Sequence, residues 1–386
     1  MQQQNIVFIE STDNYPHKFT ANNSKVRIVI DGLVAAGAKC HMVNRIYGSK
    51  QSSIANVTQE YVDGIDVWSL PRFTKNKLGL ISNFINHVKI VKSLKRKGEN
   101  NILVMGGPIF PFFLFFALVY RMIGFRTAVM ITEWARDFED ASMLKKIDYF
   151  FYDTFFGFFV SMIFPISEFL IEKCKKFNKP LFKVPILSPM PEAVEQKNEE
   201  NYFLLCSTLG YKENILTIIN SFELFCQKTD FSDYRLKLIL SGPDSQMSEV
   251  KQYISKKGLS IDIYSQIPYN QLLGLYKNAN ALLIPLKDSL RDRARFSQKI
   301  AEYISTGRPI VTNAVGDISF YFKNLENAYI ADDYSPEAYA SIMLRVAENP
   351  KEAEKIGEKG YLTGKREFDN QIVCREMVKF LTQFEE

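Results

Sequence analysis

The sequence predicts an α/β protein built as two doubly wound domains. Three observations carry this. The chain has 386 residues, and at about 150 residues per domain that makes two domains or three. Short β-rich runs alternate with helix-period segments along its length, the pattern of parallel sheets assembled from βαβ units. Residues 186–200, ILSPMPEAVEQKNEE, interrupt that alternation with prolines and an acidic, polar run, which marks a linker. A content of 46% apolar and 24% charged residues is an ordinary globular balance, which excludes a disordered chain, a collagen and a small disulfide scaffold.

The elements follow in order. Residues 5–9 (NIVFI) are a first strand, and a loop leads to a helix over 24–36 that Gly37 stops. Residues 39–43 form the next strand, in which His41 alternates as a structural residue. The segment 60–70 alternates and makes one or two further strands. A long amphipathic helix spans 78–97, carries His87 on a face and ends in Lys95-Arg96-Lys97, charges that suit a helix C-terminus. Residues 100–120 carry no charge, but Gly106, Gly107, Pro108 and Pro111 interrupt them. They read as a buried strand over 102–105, a turn and an apolar helix over 110–123, not as one membrane span. Strand 126–131 follows, then a loop with Glu133 and Trp134, and a helix to 159. Strand 162–165 leads to a helix over 168–177 with Ser167 as its N-cap.

After the linker the same grammar restarts. Strands are expected at 202–206, 236–241, 260–264, 281–284 and 309–312, with helices at 213–227, 245–257, 269–278 and 297–306. Helices then dominate to the end. The domain bounds are 1–188, a linker over 189–200, 201–366 and a final helix over 367–386. Ligands in such sheets bind beyond the carboxyl ends of the strands, so a deep cleft between the halves is expected.

Charge and aromatic content divide along the same line. Residues 1–190 hold 24 basic and 15 acidic side chains, a net +9, whereas the remainder holds 24 basic and 28 acidic. Of the 31 Phe, 21 lie within residues 1–190, and 14 of those between Phe110 and Phe164. A basic half suits an anionic membrane surface, an anionic substrate or plain solvated lysines. Nucleic acid ranks below these, because no stacking motif or recognition helix accompanies the charge. YFFYDTFFGFFV (149–160) has two readings. Packing against the sheet is the leading one. The sharper one is contact of these Phe, with Lys145, Lys146 and the lysines of 173–179, with an anionic membrane. The five cysteines lie far apart with no C-x-x-C pair, which suits a reducing compartment, and the start MQQQNIVFIE has no leader-peptide pattern. His17, His41 and His87 show no metal-ligand spacing, and His17 reads as an ordinary loop residue.

The most informative stretch is RFSQKIAEYISTGRPIVTNAVGD (295–317). Lys299 and Glu302 stand i, i+3 on one face of a helix, usually a mere surface pair. The backbone N–H groups of Phe296, Ser297 and Gln298 at its start can meet an anion. With the Lys299 ammonium and a Glu302 carboxylate for a sugar diol, this suits a nucleoside diphosphate.

This stretch resembles the donor-site motif of the family-4-type retaining glycosyltransferases, of the "glycosyl transferases group 1" type and GT-B fold. Phe296-Ser297-Gln298-Lys299, Glu302-Tyr303 and Gly307-Arg308-Pro309-Ile310-Val311 match its pattern. The resemblance extends to FLLCSTLGYKENILTIINSFELF (203–225), where Lys212 takes the place of the lysine that holds the donor diphosphate. It includes LKLILSGPD (236–244), a strand ending in a turn at Gly242, and IYSQIPYNQLLGLYKNANALLIPL (263–286), which sets Gln266 and Ile267 against the nucleotide base. It implies two Rossmann-like domains facing a central cleft, with the last helix crossing back to the first.

Several positions depart from the pattern. Ala294 stands where the fuller signature has a second Glu, and Ser207, Thr208 and Leu209 occupy the turn where it has an Arg before the lysine. Arg295 or Lys299 is then the candidate for the missing phosphate charge. The usual Gly-Gly pair after the first strand is absent, and Glu133 stands near the place of the acceptor-side His. The resemblance implies transfer without a D-x-D metal site: Lys212 and Lys299 stabilise the departing diphosphate and Glu133 orients the acceptor. For Glu133, helix capping or pairing with Arg136 is the equal alternative. The expected substrates are a UDP- or GDP-sugar and a saccharide or lipid-linked saccharide acceptor, with no metal or other cofactor. The expected location is the cytoplasm, with peripheral contact at the inner face of the cell membrane left open. A catalytically silent sugar-nucleotide or partner-binding protein and a nucleotide-sugar epimerase are the competing functions.

Overall fold

The computed structural model describes residues 2–10, 15–17, 21–44, 56–71, 77–106, 110–134, 142–191, 200–228, 231 and 233–384. The chain divides into two units, Met1–Pro189 with Asp369–Glu386, and Met190–Phe368. The expected linker falls mostly on residues 192–199, outside the described residues.

Unit 1 is built on strands β1 (Gln4–Glu10), β2 (Lys39–Asn44), β3 (Thr58–Val62), β4 (Ile65–Ser69), β5 (Asn100–Met105), β6 (Arg126–Ile131) and β7 (Met162–Pro165). They form one sheet in the order β3-β4-β2-β1-β5-β6-β7, parallel throughout except for β3. Every residue of β5 is buried, as a central strand covered on both faces requires. β3 and β4 make a hairpin through Asp63 and Gly64, at φ of 53° and 86°. Two successive positive φ values are the type I′ turn that matches strand twist, and Asp-Gly favours it.

The helices α1 (Ala21–Ala35), α2 (Lys77–Leu94), α3 (Phe110–Ile123) and α4 (Met143–Phe155) supply the crossovers, and α5 (Glu168–Lys175) follows β7. Right-handed connections place α1 on one face of the sheet and α2, α3 and α4 on the other. Ser167 caps α5 as expected, its Oγ accepting from Leu170 N at 3.3 Å. The helix expected to reach 159 instead ends at Phe155 and tightens into a 3₁₀ turn over Phe156–Phe159. Packing explains only half of its aromatic run. Tyr152, Asp153 and Phe156 are buried, whereas Phe150, Phe151, Phe155 and Phe158 are exposed. Among the described residues no helix is long and apolar enough to cross a membrane.

The histidines divide by burial. The exposed His17 has Nε2 at 2.9 Å from both Glu60 carboxylate oxygens. His41, buried in β2, has Nδ1 at 3.2 Å from Asp66, and burial lowers its pKa despite that carboxylate. His87 lies on α2, but facing inward. It is fully buried against the Tyr120 hydroxyl, and burial pushes its pKa down to about 3.

Unit 2 has strands β8 (Tyr202–Thr208), β9 (Arg235–Ser241), β10 (Ile261–Tyr264), β11 (Ala281–Leu283), β12 (Ile310–Asn313) and β13 (Tyr329–Ala331), all parallel in the order β10-β9-β8-β11-β12-β13. Its helices are α6 (Lys212–Lys228), α7 (Asp244–Ser255), α8 (Tyr269–Lys277), α9 (Leu290–Ala294), α10 (Gln298–Ile304), α11 (Ile318–Tyr321), α12 (Pro336–Glu348) and α13 (Pro350–Glu367). Phe203, Phe222 and Phe225 are fully buried here and pack with Tyr234. Helices dominate the end of the chain, but the short strand β13, which extends the sheet, was not expected, and α9 and α11 are extra. Each of these elements has five residues or fewer, too few to show a period.

The last helix, α14 (Asn370–Thr382), belongs to unit 1 and packs on α1. Asn370 Nδ2 donates to Ile28 O at 3.1 Å, and Cys374 Sγ lies 3.5 Å from Val29 O. Gly32 permits this approach, since a Cβ there would sit 2.7 Å from Cys374 Sγ.

Candidate functional site

The strand order of unit 2 reverses at β8: β9 and β10 extend to one side, and β11, β12 and β13 to the other. In an open parallel sheet ligands bind past the strand ends at such a switch point. There β8 loses its burial, from Leu205 inward to Thr208 outward, and a 3₁₀ turn over Leu209–Tyr211 leads into α6. Gly242, after β9, has φ 151°, and a Cβ there would come within 2.9 Å of Leu209 Cβ, so a side chain would displace that turn.

Helix α10 is tied to the same strand end. Tyr303 Oη accepts from Cys206 N at 2.9 Å, and its ring meets Tyr276 edge-on at 4.9 Å. Lys299 and Glu302 stand on this helix, with Lys299 Nζ 2.8 Å from Glu302 Oε2. Glu302 is only 7% exposed, and a carboxylate so buried needs a partner. Burial works against the Lys299 ammonium, but Cys206 and Glu302 outweigh it, so its pKa is raised. Lys299 therefore keeps its ammonium, and Glu302 lies deeper than in an ordinary surface i, i+3 pair.

A second cationic contact joins the turn from the other side. Arg295, which follows α9, donates from Nη1 to Tyr211 Oη at 2.6 Å. The guanidinium carbon of Arg291 lies 5.4 Å from the Tyr211 ring centroid. Arg293 is engaged elsewhere, on Asp288 at 2.6 and 2.8 Å. Burial raises the pKa of Asp292, against the opposing effects of Ser289, Arg295 and Arg291. Tyr211 precedes Lys212 and was not singled out by sequence. Its signal was an aromatic residue directly before the candidate lysine, with arginines at 291, 293 and 295 to meet it.

The remaining candidates are distributed as follows. Lys212 opens α6, exposed and ion-paired with Glu249 of α7. The Phe296 side chain is buried and stacked on Tyr321 at 5.3 Å, so only its backbone is available to a ligand. Ser297 is the N-cap of α10 but its side chain makes no cap hydrogen bond, and Gln298 is the first helical residue. The helix has seven residues, shorter than the expected 297–306, so its dipole is weak and side-chain charges carry more of the site. Gln266 takes a positive φ of 54° between β10 and α8, exposed beside the half-buried Ile267. Three residues on, Tyr269 has its pKa raised by burial and by Glu302, with Lys299 opposing, which places this loop near the ion pair. Ala294 is buried at the end of α9. Thus Lys299, Glu302, Arg295, Tyr211 and Cys206 gather around one strand end, with Lys212 beside them. Glu133 belongs to unit 1, half-buried after β6, where it adds to the burial and Asp148 effects that raise the Tyr149 pKa. Arg136 lies outside the described residues. Among the described residues no three His, Cys, Asp or Glu side chains form a metal-holding group.

Residues 190–363 match the sequence model of the family glycosyl transferases group 1. Unit 2 is a group 1 glycosyltransferase domain. The fold of the whole chain is shared with solved structures at low identity. Sucrose-phosphate synthase of Thermosynechococcus elongatus has a TM-score of 0.72 at 14% identity, over 98% of this chain and 99% of that one. HepE of Anabaena, in complex with UDP-glucose, has a TM-score of 0.72 at 12% identity, again over 98% and 99%. A trehalose-6-phosphate protein of E. coli bound with UDP-2-fluoro glucose has a TM-score of 0.69 at 12% identity, with the same coverage. No curated protein matches the chain in sequence. These structures show the fold, which is GT-B, and the group 1 domain carries the constellation around β8.

Proposed function

We propose that the chain is a retaining glycosyltransferase that moves a sugar from a nucleoside diphosphate sugar to a saccharide or lipid-linked acceptor, in cell-surface polysaccharide or glycolipid synthesis. The observation that carries this is the pairing of Lys299 with the buried Glu302, beside the Arg295–Tyr211 contact at the switch point of a group 1 domain. Glu302 accepts from the ribose hydroxyls, Gln266 and Ile267 border the base, and Lys299 and Arg295 face the diphosphate. Gly242 keeps backbone close to the ligand. Lys212 joins by exchanging Glu249 for a phosphate oxygen. Fixed cations in a partly buried site stabilise the charge that grows on the leaving group. In this reading side chains, not a metal, meet that charge. The departing phosphate oxygen takes the proton of the acceptor hydroxyl as the new glycosidic bond forms on the same face. Unit 2 holds the donor and unit 1 the acceptor, which Glu133 orients. The protein works in the cytoplasm, with peripheral contact at the inner face of the membrane. A UDP-sugar is the first donor to try, since HepE and the E. coli protein were solved with UDP-glucose or its fluoro analogue.

Ala294 and the uncharged turn Ser207-Thr208-Leu209, where the family pattern carries charge, favour a second reading as a silent sugar-nucleotide binder. A thermal-shift panel of UDP-, GDP-, CMP- and dTDP-sugars tests both. A ligand at one hundred times its Kd stabilises by about 2.7 kcal/mol. One UDP- or GDP-sugar should raise the Tm, and Glu302→Ala and Lys212→Ala should reduce that rise. No response to any nucleotide sugar sinks both readings. A response without turnover toward any saccharide or lipid-linked acceptor selects the silent binder.

A further inference from the structure

Helix α4 is built inside out. On a helix of 3.6 residues per turn, Met143, Leu144, Ile147, Phe150, Phe151 and Phe155 fall within about 140° of its circumference. All six are exposed, Met143 by 75% and Leu144 by 80%, whereas the inward face buries Tyr152 and Asp153. The apolar face continues onto α3, where Phe115, Leu118 and Met122 are exposed. Phe110 of α3 joins the helices, with its ring 6.2 Å from Phe151 and 6.3 Å from Phe155. Single exposed apolar residues need no explanation, but a continuous face on adjacent helices does.

The exposed charges beside it are of one sign. The exposed charged residues of α3 and α4 are Arg121, Lys145 and Lys146. Of the two carboxylates of α4, Asp148 at the rim of the face is half-buried and accepts from Phe110 N at 3.0 Å, and Asp153 is buried. We infer that the outer face of α4, continued by α3, docks unit 1 on an anionic lipid bilayer, with the aromatic residues entering the interface and the lysines meeting the headgroups. This rests on the reading above in one respect, that a lipid-linked acceptor gives the docking a purpose. At 13 residues α4 is about 20 Å long, too short to span and suited to lying in the interface plane. A two-fold dimer through the same face would set its lysines against their own copies, which charge disfavours.

Vesicle co-sedimentation of the full chain tests this, with phosphatidylcholine alone and with one-third phosphatidylglycerol, at low salt. The wild type should pellet with the anionic vesicles and far less with the neutral ones. Asp137, Glu139 and Asp140 precede α4 in the chain, outside the described residues, so the preference also measures whether the lysines prevail. Leu144→Asp with Phe150→Asp should weaken binding at least about a hundredfold, since each residue loses its burial. Lys145→Gln with Lys146→Gln should weaken it about thirtyfold on anionic vesicles, at the energy of one lysine near such a surface taken twice. Failure of the wild type to pellet, or undiminished binding by the Asp variant, overturns the inference. So does a wild-type dimer that the Asp variant makes monomeric. The nucleotide-sugar thermal shift, measured on the same proteins, should be unchanged by these variants. Its absence in the wild type would count against the glycosyltransferase reading and leave the docking intact.

Discussion

The two units share a parallel α/β grammar yet differ in where they place a cluster of their aromatic residues. In unit 2, Phe203, Phe222 and Phe225 are fully buried, and the accessible chemistry is carried by Lys299, Arg295 and Lys212. In unit 1, Phe115, Phe150, Phe151, Phe155 and Phe158 stand outward, while His41 and His87 are buried. The basic surplus of the first half and the acidic surplus of the second say less than the placement of a few groups. The acidic-leaning unit carries the constellation suited to an anion, because net charge acts at long range and is screened while paired contacts are not. The Phe-rich unit spends much of its aromatic content on a surface.

The largest expected effect lies in unit 2. Lys299→Ala should lower the transfer rate by about a hundredfold to a thousandfold, the usual cost of removing one preorganised charge stabiliser, and should also leave Glu302 unpaired. Leu144→Asp with Phe150→Asp should leave the rate on a soluble acceptor unchanged. Equal losses in both variants, measured as initial rates with one donor, would erase the division of labour.

Acidification should separate the units next. All three histidines lie outside unit 2. His87 has a folded-state pKa of about 3 against 6.5 when unconstrained. The unfolded chain therefore takes up its proton first. The contribution is complete above pH 6.5 and is lost as the pH falls toward 3. At pH 5 this costs unit 1 about 2 kcal/mol, to which the lowered His41 pKa adds in the same direction. Unit 2 has depressed carboxylates, Asp262 and Glu352, held by Arg235 and Arg345, whose loss belongs to more acid solution. Hydrogen exchange at pH 7 and pH 5 should show protection falling in unit 1 and persisting in unit 2. A fall led by unit 2 would break the comparison.

The smallest effect sharpens the site itself. Tyr211→Phe removes the acceptor of Arg295 and keeps the ring under Arg291. One hydrogen bond to a charged group is worth about 1.5 kcal/mol at the low end, so donor affinity should weaken about tenfold. Titration of the stabilising nucleotide sugar measures it, and unchanged affinity would remove Tyr211 from the site.

How much of this the sequence disclosed depends on contrast. The strands of both sheets stood out because short apolar runs alternate with polar helix faces. Lys299 and Glu302 stood out because their spacing sits in a long specific motif, and the structure adds that Glu302 is buried. The Arg295–Tyr211 contact spans 84 positions and leaves no local pattern. The direction of α4 was illegible for another reason. In MLKKIDYFFYDTF the strongly apolar residues share one arc, which periodicity assigns to the core, and the structure turns that arc outward. The short strand β13 falls below the length at which alternation can be recognised.

The place of α14 has a consequence for how the chain comes into being. Val373, Cys374, Met377 and Leu381 are part of the core of unit 1, packed with Ile6, Phe8 and Val29. Unit 2 is therefore inserted into unit 1 along the chain, and residues 190–368 emerge from the ribosome while the first core still lacks a wall. Domains ordinarily complete themselves in the order of synthesis. Here the order is inverted: the second domain can finish while the first waits, with Gly32 and its neighbours uncovered, for the helix that closes it. A nascent chain stalled before residue 370 should accordingly be protected from protease in its second domain before its first.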